Sequence, residues 1–390
     1  MLLENLRWIL GNSFSRRFGA RRGSAGPGWA WHGMAGQGVA RQGKHRWSNV
    51  MKIALLHRHH KDRIKETNAA FPFLEAKGID VLTFKKFDRT GNKFWKSILW
   101  IFYAPLLVFG KGYDVIYCDD SMPFYPILVK FASPNSKLVL RIGDFHLMYY
   151  TSGWLYEFLH FFEKIGWRIA DWILPISKEM YWEIIKGIEI NESYGRYDRI
   201  NNDPVVPKVH TILDPVNEND FLEENAGNKN IVMFHGVLTK NKGIDVLIES
   251  ARKLKNISFV IYGDGPDRKR LENISPSNIF FQGWISFDRM PQAIATCTIG
   301  VALRSDNAGN EYVVTSPFLQ YGICGKPCLV TRREVFGDYP WQFSGVDEMV
   351  EKIKYLIAYP EEGKKLKNYI IKNHDAKKIA DEIWQILKSL

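Results

Sequence analysis

Lys240 and Lys242 stand two residues apart, just after an apolar run that ends in His235-Gly236 and just before Gly243. Further on, Gly263-Asp264-Gly265-Pro266 closes a second apolar run. Ammonium groups beside glycine turns that follow strands are suited to holding a phosphate. Glycine lets backbone N–H groups converge, a following helix offers its N-terminus, and lysine adds charge. The plainer alternative is a pair of solvated turn lysines. Thr315-Ser316-Pro317 predicts another helix start, with an N-cap residue and proline at the first helical position, leaving N–H groups free for an anion. A third set follows the apolar run Leu138–Ile142, where Asp144 and His146 fall at the carboxyl end of a predicted strand, the edge at which α/β sheets bind ligands. His57-Arg58-His59-His60-Lys61 is a bulky basic loop after the first strand, suited to an anionic acceptor or a diphosphate. Consecutive histidines do not share one ion without distortion and no acid pattern accompanies them, so no metal is expected.

The elements that must position these groups alternate. Ile53–Leu56, Val81–Phe84, Asp114–Cys118, Leu138–Ile142 and the run ending Leu174-Pro175-Ile176 read as strands, and Ser177 reads as the N-cap of the helix that carries Met180, Ile184 and Ile185. Ile231–Phe234 and Phe259–Tyr262 are further buried strands, joined by a helix opening at Lys240–Gly243 with apolar positions Ile244, Leu247, Ile248, Ala251 and Leu254. Strand–helix–strand units of this length build parallel sheets covered on both faces. The polar stretch from Glu218 to Lys229 marks a boundary between halves. Helices are expected near Val346–Ala358, Glu361–Asn373 and Ala376–Leu390.

Composition narrows the class. The chain has 390 residues, 46% of them hydrophobic and 24% charged, enough for two cored domains of a globular protein. Cys118, Cys297, Cys324 and Cys328 are scattered, which argues for a reducing compartment and against a zinc site. The net charge is +11, but residues 1–50 hold seven Arg and one Lys against one Glu, so +7 of it lies there. A nucleic-acid-binding body is therefore not expected. That glycine- and arginine-rich stretch reads as an organellar transit peptide, as a disordered basic arm, or as an extension upstream of a native start at Met51; the strand beginning at once after Met51 favours the last.

Gly236, Lys242-Gly243, Gly263-Asp264-Gly265, Gly283 and Gly325-Lys326-Pro327, in that order and spacing, resemble the donor half of a GT-B glycosyltransferase of the family 4 type. The resemblance covers most of Met51–Leu390. It implies an α/β fold of two Rossmann-like doubly wound domains facing across a cleft: an acceptor domain over 51–217 with a crossing helix at 376–390, and a nucleotide-sugar donor domain over 228–375. It implies transfer of a sugar from a nucleotide diphosphate sugar with retention of configuration, without a cofactor or an essential metal. On it, Gly236, Lys240, Lys242, Gly243, Thr315 and Ser316 hold the donor diphosphate. Gly263, Gly265, Trp284, Ile285 and Gln320 hold the nucleotide, and His146, Asp144 and Glu311 serve the sugar and the chemistry. The chain departs from the pattern at Val237, where the family has arginine. Gln320 stands for the second of two glutamates, and Glu311, the candidate for the first, is one residue out of register. Trp284 is equally readable as a core tryptophan, and Glu311 as a loop residue. A degenerate relative acting as a scaffold subunit and a nucleotide-sugar epimerase remain as alternatives.

Phe94–Phe109 (FWKSILWIFYAPLLVF) is too short and too interrupted to cross a bilayer comfortably. It reads either as helix packed on the sheet or as an interfacial patch through which the enzyme reaches a lipid-linked acceptor. The expected location is cytoplasmic, peripheral at the membrane face if the second reading holds. The expected partners are a nucleotide sugar and a glycan or lipid-linked acceptor.

Overall fold

The computed structural model describes residues 51–58, 68–83, 93–119, 122–144, 153–187, 207–221, 230–305 and 311–390, without the side chains of 93–98 and of Asn241. His146 and most of the basic loop after His57 lie outside the described residues, as does the leader. Val50–Leu390 is one compact unit holding two six-stranded sheets.

In the first half the strands are β1 (Ile53–His57), β2 (Asp80–Thr83), β3 (Val115–Cys118), β4 (Lys137–Ile142), β5 (Trp172–Pro175) and β6 (Lys208–Val209). They pair in parallel in the order β2-β1-β3-β4-β5-β6, with Leu55 opposite Tyr117 and Leu140 opposite Ile173. Between them run α1 (Phe71–Glu75), α2 (Lys93–Val108), α3 (Tyr125–Ala132), α4 (Trp154–Ile169) and α5 (Lys178–Gly187). The Ser177 hydroxyl accepts from the Met180 amide at 3.1 Å, so α5 has its cap. Alternate residues of each strand serve opposite faces: Ala54 and Leu56 pack with α2, α3, α4 and α5, whereas Ile53 and Leu55 pack with α1.

The second half carries β7 (Ile231–His235), β8 (Ser258–Tyr262), β9 (Ile279–Gly283), β10 (Ile299–Ala302), β11 (Cys328–Thr331) and β12 (Gln342–Phe343), in the order β12-β11-β10-β7-β8-β9 and again parallel. Its helices are α6 (Asp245–Lys253), α7 (Arg268–Ile274), α8 (Met290–Thr296), α9 (Ser316–Ile323), α10 (Val346–Ala358) and α11 (Glu362–Asn373). The sequence predicts a helix opening at Lys240. Instead, Lys240–Lys242 is a 3-10 turn closed by Gly243 at φ +65°, and α6 begins only at Asp245. The left-handed glycine breaks the helical path, so Lys242 sits in a turn before the helix rather than within its first turn.

The last helix, α12 (Ala376–Lys388), packs Ile379, Ala380 and Ile383 against the first sheet, beside Ile53, Leu55 and Val115. The chain returns next to the connection between the halves. The Val216 amide donates to the His374 carbonyl at 2.8 Å, and the Ala376 amide donates to the Val216 carbonyl at 3.1 Å. With helices on both faces of two parallel sheets and this return, the chain has the two-domain GT-B fold.

Candidate active site

Each sheet has a switch point where the strand order reverses, and in open α/β sheets that is where ligands bind. In the second half the switch lies between β7 and β10. His235 ends β7, the Lys240–Lys242 turn follows it, and Arg304 follows β10. Gly243 packs on the Arg304–Ser305 backbone, where an added Cβ would lie 3.5 Å from the Ser305 nitrogen. Lys242 and Arg304 are thus two half-buried cations at one crevice. Burial, then the Arg304 charge, push the Lys242 ammonium down to about 8, with Asp144 of the first half pulling the other way. Beneath them the His235 imidazole is buried. Burial, then Lys242, hold its pKa at about 3, so it is neutral.

Several polar atoms around this crevice are buried without a partner among the described residues: Nε2 of His235, Nε of Arg304, Oγ1 of Thr315 and Oε1 of Gln320. Thr315 occupies the N-cap position of α9 in extended conformation, but its hydroxyl makes no capping bond, and Pro317 lies in the first turn. Unspent polar groups at a helix N-terminus and two half-buried cations in the same half are features suited to an anion. Lys240, two residues before Lys242, is exposed and lies within electrostatic reach of Asp267.

The glycine turns are required by packing as well. An added Cβ on Gly263 would lie 1.9 Å from the Gly236 carbonyl oxygen, and one on Gly265 would lie 2.3 Å from that of Leu238. The Gly236 amide donates to Tyr262, Leu238 to Asp264, and Gly263 to Gly283, at 2.7–3.0 Å. The three turns are sewn together backbone to backbone, and no side chain fits between them. Trp284 follows Gly283 and is 75% exposed, so it is not a core residue. It lies beyond β9, two strands from β7, about 10 Å along the sheet edge. Ile285 is half-buried and packs into the second-half core.

Glu311 forms an ion pair with Arg333 at 3.2 Å, and Tyr312 and Val313 beside it pack into the core of the first half. Lys326, within the Gly-Lys-Pro run, is buried and donates to the Ala295 carbonyl at 3.1 Å, at the end of α8. A cavity of about 70 Å³ opens between Asn68 and Ala69, the connection Asp214–Phe221, and Ser316 and Gln320 of α9. A larger apolar one of about 540 Å³ lies among α9, α11 and the Val335–Trp341 segment, away from Lys242 and Arg304.

The first-half switch point, between β1 and β3, is occupied by a buried charge network that sequence reasoning missed. His57 Nδ1 lies 2.7 Å from Asp119 Oδ2, Arg141 Nη1 donates to Asp119 Oδ1 at 3.0 Å, and Arg141 Nη2 pairs with Asp214. Burial works against the Asp119 carboxylate, but Arg141 and His57 outweigh it and hold its pKa below the usual range. For Asp214 burial wins and raises the pKa. His57 is therefore built into the sheet end and does not belong to a free basic loop. The only hint in the sequence was the alternation itself: residues directly after β1, β3 and β4 must meet at one edge. Asp144 bridges the two sites electrostatically, since it acts on both Asp214 and Lys242.

A GT-B protein with two half-buried cations at its second-half switch point is the class this geometry defines. Residues 229–389 match the family described as Glycosyl transferases group 1. An uncharacterized glycosyltransferase of Methanocaldococcus jannaschii is 30% identical over 113 residues, which cover 28% of this chain and 30% of that protein. Among solved structures, sucrose-phosphate synthase from Thermosynechococcus elongatus superposes with a TM-score of 0.67 at 12% identity, over 87% of this chain and 99% of that one. Anabaena HepE, in complex with UDP and glucose, gives 0.62 at 14% identity over 87% and 100%. The second half thus resembles group 1 glycosyltransferases by sequence, and the described chain has the fold of GT-B proteins.

Proposed function

We propose that the chain transfers a sugar from a nucleotide diphosphate sugar to a glycan or lipid-linked acceptor, with retention of anomeric configuration. The observation that carries this is the pairing of Lys242 with Arg304 at the β7/β10 switch. Two like charges held half-buried are costly unless an anion joins them. A diphosphate seated there would meet both cations and the start of α9 at Thr315 and Ser316. Arg304 supplies the second positive charge that Val237 lacks. Trp284, exposed at the same sheet edge, would stack on the base, and Gln320 can accept from or donate to a ribose hydroxyl. HepE was solved with UDP and glucose, which accords with a uridine nucleotide donor.

In the reaction the bond between the anomeric carbon and the β-phosphate oxygen breaks. The acceptor oxygen bonds to that carbon on the same face and passes its proton to the departing β-phosphate oxygen. Lys242, Arg304 and the α9 N-terminus stabilise the charge that grows on the departing diphosphate. Asp144 and His146 from the first half, with Glu311, are assigned to orienting the sugar, and no metal or other cofactor is required. The site of action is the cytoplasm.

One observation favours the degenerate scaffold: Glu311 is engaged by Arg333 and out of register. Turnover separates the readings. A panel of UDP-, GDP- and ADP-sugars in thermal-shift assays comes first, because a ligand at 100 times its Kd stabilises by about 2.7 kcal/mol. A shift for one nucleotide class, lost in Lys242→Ala and Arg304→Ala, is expected. Release of nucleotide on adding acceptor then identifies a transferase. Binding without release identifies a scaffold, and interconversion of the donor without acceptor identifies an epimerase.

A further inference from the structure

We propose that the outer face of α2, α3 and α4 is a docking surface for an anionic lipid bilayer. A helix covering one face of a sheet needs an apolar stripe only on its inner side. The helix on the other face of the same sheet obeys this: α12 buries Ile379, Ile383 and Leu387 and turns Lys377, Lys378 and Lys388 outward. Helix α2 does not. It buries Trp100, Ala104 and Val108, yet Phe102 and Leu106 are 64% and 69% exposed, and Phe109 just beyond its end is 69% exposed. Next in the layer, Phe131 of α3 and Trp154 of α4 are each about four-fifths exposed, and Phe158 is half exposed. Eight of the fifteen large apolar side chains that the described residues expose lie on this one layer, so the exposure is concentrated rather than scattered.

Charge selects the occupant. Between Lys93 and Tyr113 the sequence holds Lys93, Lys96 and Lys111 and no acid. In α4, Glu163 is buried against His160 at 2.9 Å, and exposed Arg168 offsets exposed Glu157, so the basic excess comes from the Lys93–Tyr113 stretch. An aromatic and aliphatic face on a stretch that carries lysine and no acid matches the interface of a bilayer with anionic headgroups. The helices would lie in its plane: no helix of the described residues is long and apolar enough to cross it. α2, at 16 residues, is about 24 Å long, short of the roughly 30 Å hydrocarbon core. This surface stands independently of the donor site, which belongs to the other half.

The test is co-flotation of the full chain with vesicles of phosphatidylcholine, with and without phosphatidylglycerol. The expected result is partition onto the anionic vesicles, weakened by salt. The triple variant Phe102→Ser, Leu106→Ser, Phe158→Ser should lose partition by roughly tenfold or more, since each removes a buried apolar group from the bound state. Its donor-induced thermal shift should match that of the parent and its unfolding temperature should fall only slightly, because Phe102 and Leu106 are mostly exposed and Phe158 loses only an edge contact with Phe162. Lys242→Ala should do the reverse, losing the donor shift while still floating. Failure to bind any vesicle overturns the proposal, as does equal partition of the triple variant. A concentration-dependent dimer that the triple variant dissociates also overturns it, since the face would then belong to a second copy.

Discussion

Proton linkage at Lys242 gives the sharpest test of the donor site. In the free protein, burial and Arg304 push this ammonium from 10.5 down to about 8. A bound diphosphate would replace the repulsion with attraction and return the pKa toward its ordinary range. Donor affinity should then be level below pH 8 and fall roughly tenfold per pH unit above it, levelling near 300-fold once the shift of about 2.5 units is spent. Binding at pH 8 should take up about half a proton, and one unit higher about 0.9. Isothermal titration in two buffers of different ionisation enthalpy reads that uptake directly. In the free protein the stability runs the other way with pH. The folded pKa lies below the unfolded one, so between pH 8 and about 10.5 the unfolded chain binds more protons and stability rises with pH. Saturating donor should flatten this rise. Lys242→Arg keeps the charge without titrating in this range, and should bind with no pH dependence over it. An affinity flat for two units above pH 8, with no proton uptake in the parent protein, would refute the pairing of Lys242 with Arg304 around an anion.

Further outcomes follow from the same geometry. Arg304→Ala should weaken donor binding by about 1.5–3 kcal/mol, the range for a charge-assisted hydrogen bond, while the unfolding temperature without donor stays level or rises. Trp284→Ala should cost about 1–3 kcal/mol of nucleotide affinity by calorimetry and leave stability unchanged, because the side chain is 75% exposed. Gly263→Ala should destabilise by about 2–4 kcal/mol in urea, since its φ of +137° and the Gly236 carbonyl both exclude a Cβ. Arg141→Met leaves Asp119 and Asp214 buried without their cation and should cost about 3–5 kcal/mol; the triple change Arg141→Met, Asp119→Leu, Asp214→Leu should recover much of it.

The architecture was legible because parallel α/β units announce themselves locally. Four-residue apolar runs, glycine turns and helix-period stripes each need only a short window, and strands such as Ile231–His235 and helices such as Val346–Ala358 fall where their patterns put them. The glycines were legible too, but for a reason the sequence could not separate from ligand binding: Gly263 and Gly265 are required by neighbouring turns in the same fold. What the window could not show was assembly across the sheet edge. Arg304 lies more than sixty positions from Lys242 and carries no motif, and only the β7/β10 pairing brings them together. His57, Asp119, Arg141 and Asp214 are likewise four separate signals until β1, β3 and β4 align. Nor could the window show that the 3-10 turn leaves Lys240 exposed within electrostatic reach of Asp267 while Lys242 is half-buried.

Those two networks also decide how the halves are coupled. Arg141 ties the first sheet to Asp214 in the connection, and His374, just before the crossing helix, has its Nδ1 2.7 Å from the carbonyl oxygen of the same Asp214. Asp214 is therefore held from both crossings at once, so a rotation of one half against the other must strain or break a buried ion pair. Asp144 extends the alternation of charge from this anchor to Lys242. An anion arriving at Lys242 would offset the pull of that ammonium on Asp144, leaving the Asp144 charge to act more fully on Asp214, whose pKa burial already raises. Donor binding should thus raise the Asp214 pKa further, and Asp144→Asn should uncouple the two. Carboxyl-carbon NMR of the protein with and without donor measures this. An Asp214 titration unmoved by donor in the parent protein would show that the halves are joined mechanically but not electrostatically.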